Sequence, residues 1–161
     1  MIKTGEKLPE ATLTLMTSEG PRPVTTDEFF KDRTVALFAV PGAFTPTCSA
    51  RHLPGYKDNL ATLTDKGVDA VACVSVNDAF VLGAWAEANG LNGTDDIVML
   101  ADGNGAFTKA VGLEMDASGF GMGTRSQRYS MLVKDGVVEK LNVEQGGEFK
   151  VSSAEFLISE L

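Results

Sequence analysis

The residues of this chain with chemistry to offer are few, and they cluster around one short segment. Cys48 closes the run Pro41-Gly42-Ala43-Phe44-Thr45-Pro46-Thr47-Cys48. Thr45 is a suitable helix N-cap and Pro46 suits the first helical position, which places Cys48 third. A sulfur there lies near unpaired N–H groups and the positive end of a helix dipole, and both favour thiolate over thiol. The thiolate is the nucleophile. The Thr45 hydroxyl, one turn away, can accept a hydrogen bond from a substrate and donate one to the sulfur or to a substrate oxygen. Pro41 can shield the thiolate from bulk water and carries no competing N–H. Attack by a thiolate also benefits from a cation, to hold the sulfur anion and to stabilise charge on a leaving atom. Arg128 is the candidate, with Arg125 as its rival.

Other readings of the same residues stand beside this one. A lone cysteine in an α/β protein is more often a small buried hydrophobe, and Thr-Pro is a common helix start. The residues alone therefore leave Cys48 open between a reactive and a structural role. His52 follows Cys48 by four residues, on the same helix face. It is either half of a cysteine–histidine pair or, in the favoured reading, a histidine that packs or hydrogen-bonds near the site. A hydrolase would need an orienting group and an oxyanion hole, and neither is visible. Cys73 lies within Val71-Ala72-Cys73-Val74 and reads as a core residue. There is no CxxC pair, which counts against a protein-disulfide oxidoreductase. One histidine and two cysteines do not supply a zinc or iron site.

These side chains need a frame. Residues 34–40 are a nearly continuous apolar run, as in a strand buried on both faces, and Pro41-Gly42 ends it. A helix is expected from about Pro46 to Leu63. Residues 68–76 read as a second buried strand. Asn77-Asp78 then caps a helix over 79–89, ended by Asn89-Gly90. Residues 97–101 form a third strand, and 106–111 a short helix. Residues 114–126 are glycine-rich and expected to be irregular, with Phe120 in the loop as a pocket wall or subunit contact. Phe44 and Phe80 read as core aromatics. Residues 128–133 and 137–143 are strands joined by the turn Lys134-Asp135-Gly136. A helix over 153–160 closes the chain. The order predicts an α/β protein with a central mixed β-sheet flanked by helices, for which a thioredoxin-like fold is the simplest choice.

At 161 residues the chain is expected to form a single domain, 1–161, since a domain runs to about 150 residues. With 43% hydrophobic residues it can fill one sizeable core. The net charge of -8 disfavours nucleic acid and anionic membrane surfaces as partners. No stretch reaches the ~18 apolar residues of a membrane span. Residues 1–10 carry Lys3, Glu6 and Lys7 and do not read as a secretory signal, so a cytoplasmic location is expected.

The octapeptide ending at Cys48 resembles the peroxiredoxin pattern Pro-x-x-x-Thr-x-x-Cys. Further blocks match in order: His52-Leu53-Pro54-Gly55-Tyr56, Cys73 to Phe80, Arg128-Tyr129-Ser130-Met131 and Asp135-Gly136-Val137-Val138. Together they resemble the type-II, or fifth-class, peroxiredoxins over nearly the whole chain. The resemblance implies a thioredoxin-like fold with Pro41, Thr45, Cys48 and Arg128 as the catalytic set. It favours Arg128 over Arg125, because only Arg128 lies in a matching block. It implies reduction of hydrogen peroxide and organic hydroperoxides, with peroxynitrite a further candidate. It also implies a homodimer with contacts near the active-site rim, and no metal or organic cofactor. Some relatives carry a resolving cysteine near the C-terminus, where this chain reads Glu148-Phe149-Lys150-Val151-Ser152-Ser153. Cys73 is mid-strand, and a disulfide needs Cα atoms within roughly 7 Å and suitably aimed Cβ vectors. The chain thus reads as a one-cysteine peroxidase recycled by an external thiol, either glutathione with glutaredoxin or thioredoxin. The alternative is a peroxide sensor that passes oxidation to a partner.

Overall fold

The buried apolar runs of the sequence become the middle of a seven-stranded mixed sheet in a computed structural model that describes residues 1–161. The strands are β1 Thr12–Thr17, β2 Gly20–Thr25, β3 Thr34–Ala39, β4 Ala70–Ser75, β5 Ile97–Ala101, β8 Tyr129–Lys134 and β9 Val137–Val143. A separate small hairpin is formed by β6 Glu114–Asp116 and β7 Thr124–Ser126. Across the sheet the order is β2-β1-β5-β4-β3-β8-β9. β3, β4 and β5 run parallel, while β1 and β8 pair antiparallel on either side of them.

Side chains alternate across a strand, so a strand that is apolar throughout feeds two cores at once. Ala36, Phe38 and Val40 enter one apolar layer, while Val35, Leu37 and Ala39 enter the other. Phe38 is in register with Cys73. The first layer also holds Cys48, Leu53, Tyr56, Leu82 and Trp85, so it forms the floor of the segment singled out above.

The helices are α1 Thr26–Phe30, α2 Leu53–Asp58, α3 Leu60–Asp65, α4 Ala79–Ala88, α5 Ala106–Ala110 and α6 Ala154–Ser159. The expected helix from Pro46 to Leu63 begins at Pro46, but it is not one regular helix. Its second turn, Cys48–His52, is a π-turn in which Leu53 N–H donates to Cys48 C=O, five residues back. Pro54 supplies the reason: it has no N–H to continue the i→i−4 ladder, and the wider turn absorbs the mismatch. A second break falls at Asn59, whose side chain caps the Gly55 carbonyl at 2.7 Å.

Two further differences from the sequence reading have local causes. The hairpin β1–β2 and α1 precede the first predicted element. Pro21 and Pro23 read against a strand, yet β2 lies at the sheet edge, where missing donors are tolerated. Thr25 and Glu28 form a capping box at the start of α1. Residues 114–126, expected to be irregular, fold back as β6–β7, with Gly121 and Gly123 supplying the positive φ angles of the turn. No helix is long and apolar enough to cross a membrane.

Candidate active site

The loop from Pro41 to Pro46 leaves the C-terminal end of β3 and is held from below by β4. Ser75 donates to Asn77 Oδ1 at 2.6 Å, and the same oxygen accepts the Ala43 N–H at 3.0 Å. Within the loop, the Thr45 hydroxyl donates to the Gly42 carbonyl at 2.7 Å. Phe44 adopts a left-handed φ of 64°, a conformation an aromatic residue rarely takes. The expected side-chain N-cap is therefore absent. Thr45 closes the loop on Gly42, and its main-chain carbonyl accepts the Ser49 N–H at 3.0 Å.

Cys48 sits at the first residue of the π-turn with 0% of its surface exposed. It is not merely packed among apolar groups. Arg128, directly before β8, donates from Nη2 to Cys48 Sγ at 3.1 Å. β8 lies beside β3, so the strand order of the sheet delivers the guanidinium to the sulfur. Charge-assisted contacts of this type are stronger than neutral ones. Next to Cys48, the Ser49 hydroxyl accepts from Trp85 Nε1 at 3.0 Å, which ties the turn to α4.

His52 holds the other arm of the guanidinium. Arg128 Nη1 lies 2.8 Å from His52 Nδ1, and His52 Nε2 lies 3.0 Å from the Ser152 carbonyl. Arginine can only donate, so Nδ1 is the acceptor and Nε2 carries the proton. Burial, and next the Arg128 charge, depress the His52 pKa to about 3. The imidazole therefore stays neutral through the physiological range and keeps its lone pair for Arg128. The packing or hydrogen-bonding reading of His52 matches this placement. It adds a partner, Ser152, that no local sequence signal marks.

Arg125 occupies the rim. It donates from Nε to the Met122 carbonyl at 3.0 Å and from Nη1 to the Pro41 carbonyl at 3.4 Å. It braces the loop and does not touch the sulfur through any hydrogen bond. Cys73 is buried on β4, and burial, followed by the neighbouring Cys48, pushes its thiol well above the usual range. The two cysteines are free. Phe44, Phe80 and Phe120 are not the core side chains that Phe44 and Phe80 were read as: they are 57%, 66% and 86% exposed. Phe44 rides on the site loop, Phe80 on the first turn of α4, and Phe120 at the tip of β6–β7.

The chain is similar to known proteins in both sequence and fold. A family model described as Redoxin matches residues 3–158. The chain is 52% identical over 164 residues to the chloroplastic peroxiredoxin-2E-2 of Oryza sativa subsp. japonica, covering 99% of this chain and 72% of that one. It is 44% identical to the hybrid peroxiredoxin hyPrx5 of Haemophilus influenzae, over 98% of this chain and 65% of that protein. The crystal structure of reduced Prx3 from Vibrio vulnificus in complex with hydrogen peroxide superposes with a TM-score of 0.94. That protein shares 54% identity, with 99% of each chain covered.

Proposed function

This chain belongs to the peroxiredoxin family and is a thiol-dependent peroxidase, and from that premise we propose that Cys48 is its peroxide-attacking nucleophile, served by Thr45, Arg128 and Pro41. The observation that carries the assignment is the 3.1 Å contact from Arg128 Nη2 to Cys48 Sγ. A guanidinium that donates to the buried sulfur fixes its orientation and complements negative charge developing there. The thiolate attacks the nearer peroxide oxygen in line with the O–O bond. A sulfur–oxygen bond forms, the O–O bond breaks, and the distal oxygen leaves as water or an alcohol once protonated. Cys48 becomes a sulfenic acid. Arg128 stabilises the charge that builds on the departing oxygen. Thr45 orients the peroxide and Pro41 keeps water off the sulfur. Residues from Pro41 to Ser152 contribute to this one centre, so we take 1–161 as one functional domain.

Regeneration proceeds through an external thiol. Its sulfur condenses with the sulfenic acid to a mixed disulfide with loss of water, and a second thiol then releases Cys48. Glutathione with glutaredoxin, or thioredoxin, supplies these thiols, in a reducing compartment such as the cytoplasm. Some relatives are named chloroplastic, which sets the compartment as a separate question from the chemistry. Cys73 takes no part, being locked into β4 with a protonated thiol. Cys73→Ser should thus retain at least about half of the peroxide turnover with either donor system, as expected of a substitution outside the mechanism. Turnover measured with both donors checks this, and a Cys73→Ser enzyme that oxidises once and then stops would refute the one-cysteine assignment. The relay alternative finds no support among the relatives.

The rim aromatics support a homodimer. Asn77 bonds to Ala43, and Arg125 to Pro41, so the start of α4 and the β6–β7 hairpin both border the site loop. Phe44 on the site loop, Phe80 on the first turn of α4 and Phe120 on the hairpin are all exposed, and exposed aromatics of this type mark interfaces. In sedimentation velocity the wild type should run as a dimer at micromolar concentration. Phe120→Glu should weaken association by about tenfold or more. A wild type that stays monomeric removes the dimer from the proposal.

A further inference from the structure

We propose that Glu144 is a positioning residue for Arg128, acting on both ends of the chain of contacts that ends at Cys48. The inference rests on reading Cys48 and Arg128 as the reacting sulfur and its cation.

Glu144 follows β9 directly. Its main-chain N–H donates to the Arg128 carbonyl at 3.0 Å, which anchors the backbone from which the guanidinium extends. Its carboxylate reaches the other way. Oε2 accepts the Lys150 N–H at 2.7 Å, the Ser152 N–H at 2.8 Å and the Ser152 hydroxyl at 2.5 Å. Ser152 in turn presents its carbonyl to His52 Nε2 and to the Tyr56 hydroxyl, at 3.0 and 3.1 Å. His52 then receives Arg128, and Arg128 holds the sulfur. One residue thus anchors the base of the guanidinium through its main chain, while its side chain, through Ser152 and His52, holds the tip, and it is this second arm that a substitution removes.

The surroundings show why a charged oxygen is used. Residues 145–149 form a loop containing Gly146 and Gly147, with Gly146 at a φ of 57°. Such a loop has little local preference of its own, and glycine adds backbone freedom that must be removed. Three donors converging on one carboxylate oxygen supply that restraint. Glu144 makes no salt bridge, so its charge is matched by these N–H and O–H dipoles alone, which orient the 150–152 backbone toward it. Burial opposes the ionised form, yet the bonds from Ser152 and Lys150 outweigh it and keep the carboxyl below its usual range.

The test is single-turnover oxidation of the reduced enzyme by hydrogen peroxide, followed through the fluorescence of Trp85, the one tryptophan, which bonds to Ser49 beside Cys48. Wild type, Glu144→Ala, Glu144→Gln, Arg128→Ala and the double variant Glu144→Ala/Arg128→Ala are compared. Glu144→Ala should slow oxidation ~10- to 100-fold, the scale of an ångström-level misplacement of a catalytic group. Glu144→Gln, which keeps the shape and a neutral acceptor, should fall between that variant and wild type. In the Arg128→Ala background the Glu144→Ala change should matter less than about twofold, because the group it positions is gone. A wild-type rate for Glu144→Ala, or an equal loss in both backgrounds, overturns the inference while leaving Arg128 in place. If Glu144→Ala does not hold its fold, Glu144→Gln is compared across the same two backgrounds with the same criterion. Arg128→Ala at the wild-type rate would instead overturn the Cys48–Arg128 reading, and this one with it.

Discussion

Cys48→Ser is expected to consume hydrogen peroxide no faster than the buffer does, with every donor system, while remaining folded. The reason lies in the nucleophilicity of the atom at position 48. A serine hydroxyl next to Arg128 stays protonated at neutral pH, and an alcohol is a poor nucleophile toward a peroxide oxygen. Cys73 cannot take over, because it faces Cys48 from within β4 and its thiol is held protonated by burial. The fold should persist, since serine is close to isosteric and the Arg128 contact can pass to its oxygen. A destabilisation of ~1 kcal/mol would lower Tm by about 2–4 °C for a chain of this size. Residual turnover well above background, in protein whose circular dichroism matches wild type, would place the nucleophile elsewhere.

Arg128→Ala carries the second-largest expected effect. It removes the donor to Cys48 Sγ and frees the Nδ1 of His52 in one step. Deleting one preorganised donor at a site of developing charge costs about 100- to 1,000-fold in rate, and that is the expected fall in the rate constant for peroxide oxidation. Arg128→Lys should recover little of it. A point ammonium cannot hold His52 and the sulfur with the two parallel arms of a planar fork. Arg125→Ala, which loosens the loop through the Pro41 and Met122 carbonyls but leaves the sulfur contact intact, should cost no more than about tenfold. Stopped-flow oxidation of the three variants side by side checks the order. Equal losses at the two arginines would mean that the guanidinium on the sulfur has no special role.

The parts of this architecture legible in the sequence are those set by short-range pattern. The apolar runs of β3 and β4 read as buried strands and that of β5 as a short third one, and Asp78 declared the start of α4, where it accepts from Val81 N–H. Lys134-Asp135-Gly136 likewise announced the β8–β9 turn. Where non-local context decides, the pattern misleads. Pro21 and Pro23 argue against a strand until β2 is known to be an edge. Pro54 passes inside the helix expected from Pro46 until its missing N–H is counted against the carbonyl of Ala50, four residues back. Phe44 and Phe80 have the composition of core residues, and only the tertiary fold turns them outward. The same division runs through the site. Cys48, Thr45 and Pro41 share one stretch of chain and could be found by spacing. Arg128 is brought in by strand order, and Ser152 by the carboxylate of Glu144. No spacing to Cys48 marks either of these long-range partners; Arg128 is reached only through the resemblance of its block Arg128-Tyr129-Ser130-Met131, and Ser152 not at all.

The complete burial of the sulfur sets a filter by molecular size. A molecule of two oxygens needs only a small displacement of rim side chains such as Met122 and Arg125, which lie within 3.4 Å of where a Cβ on Gly42 would stand. A cysteine on a donor peptide brings its own backbone and cannot follow by that route. Reduction by such a donor is therefore expected to need an opening at the Cys48 turn, where Pro54 already leaves one rung unmade. On that expectation a closed shape admits the oxidant and an opened one admits the reductant.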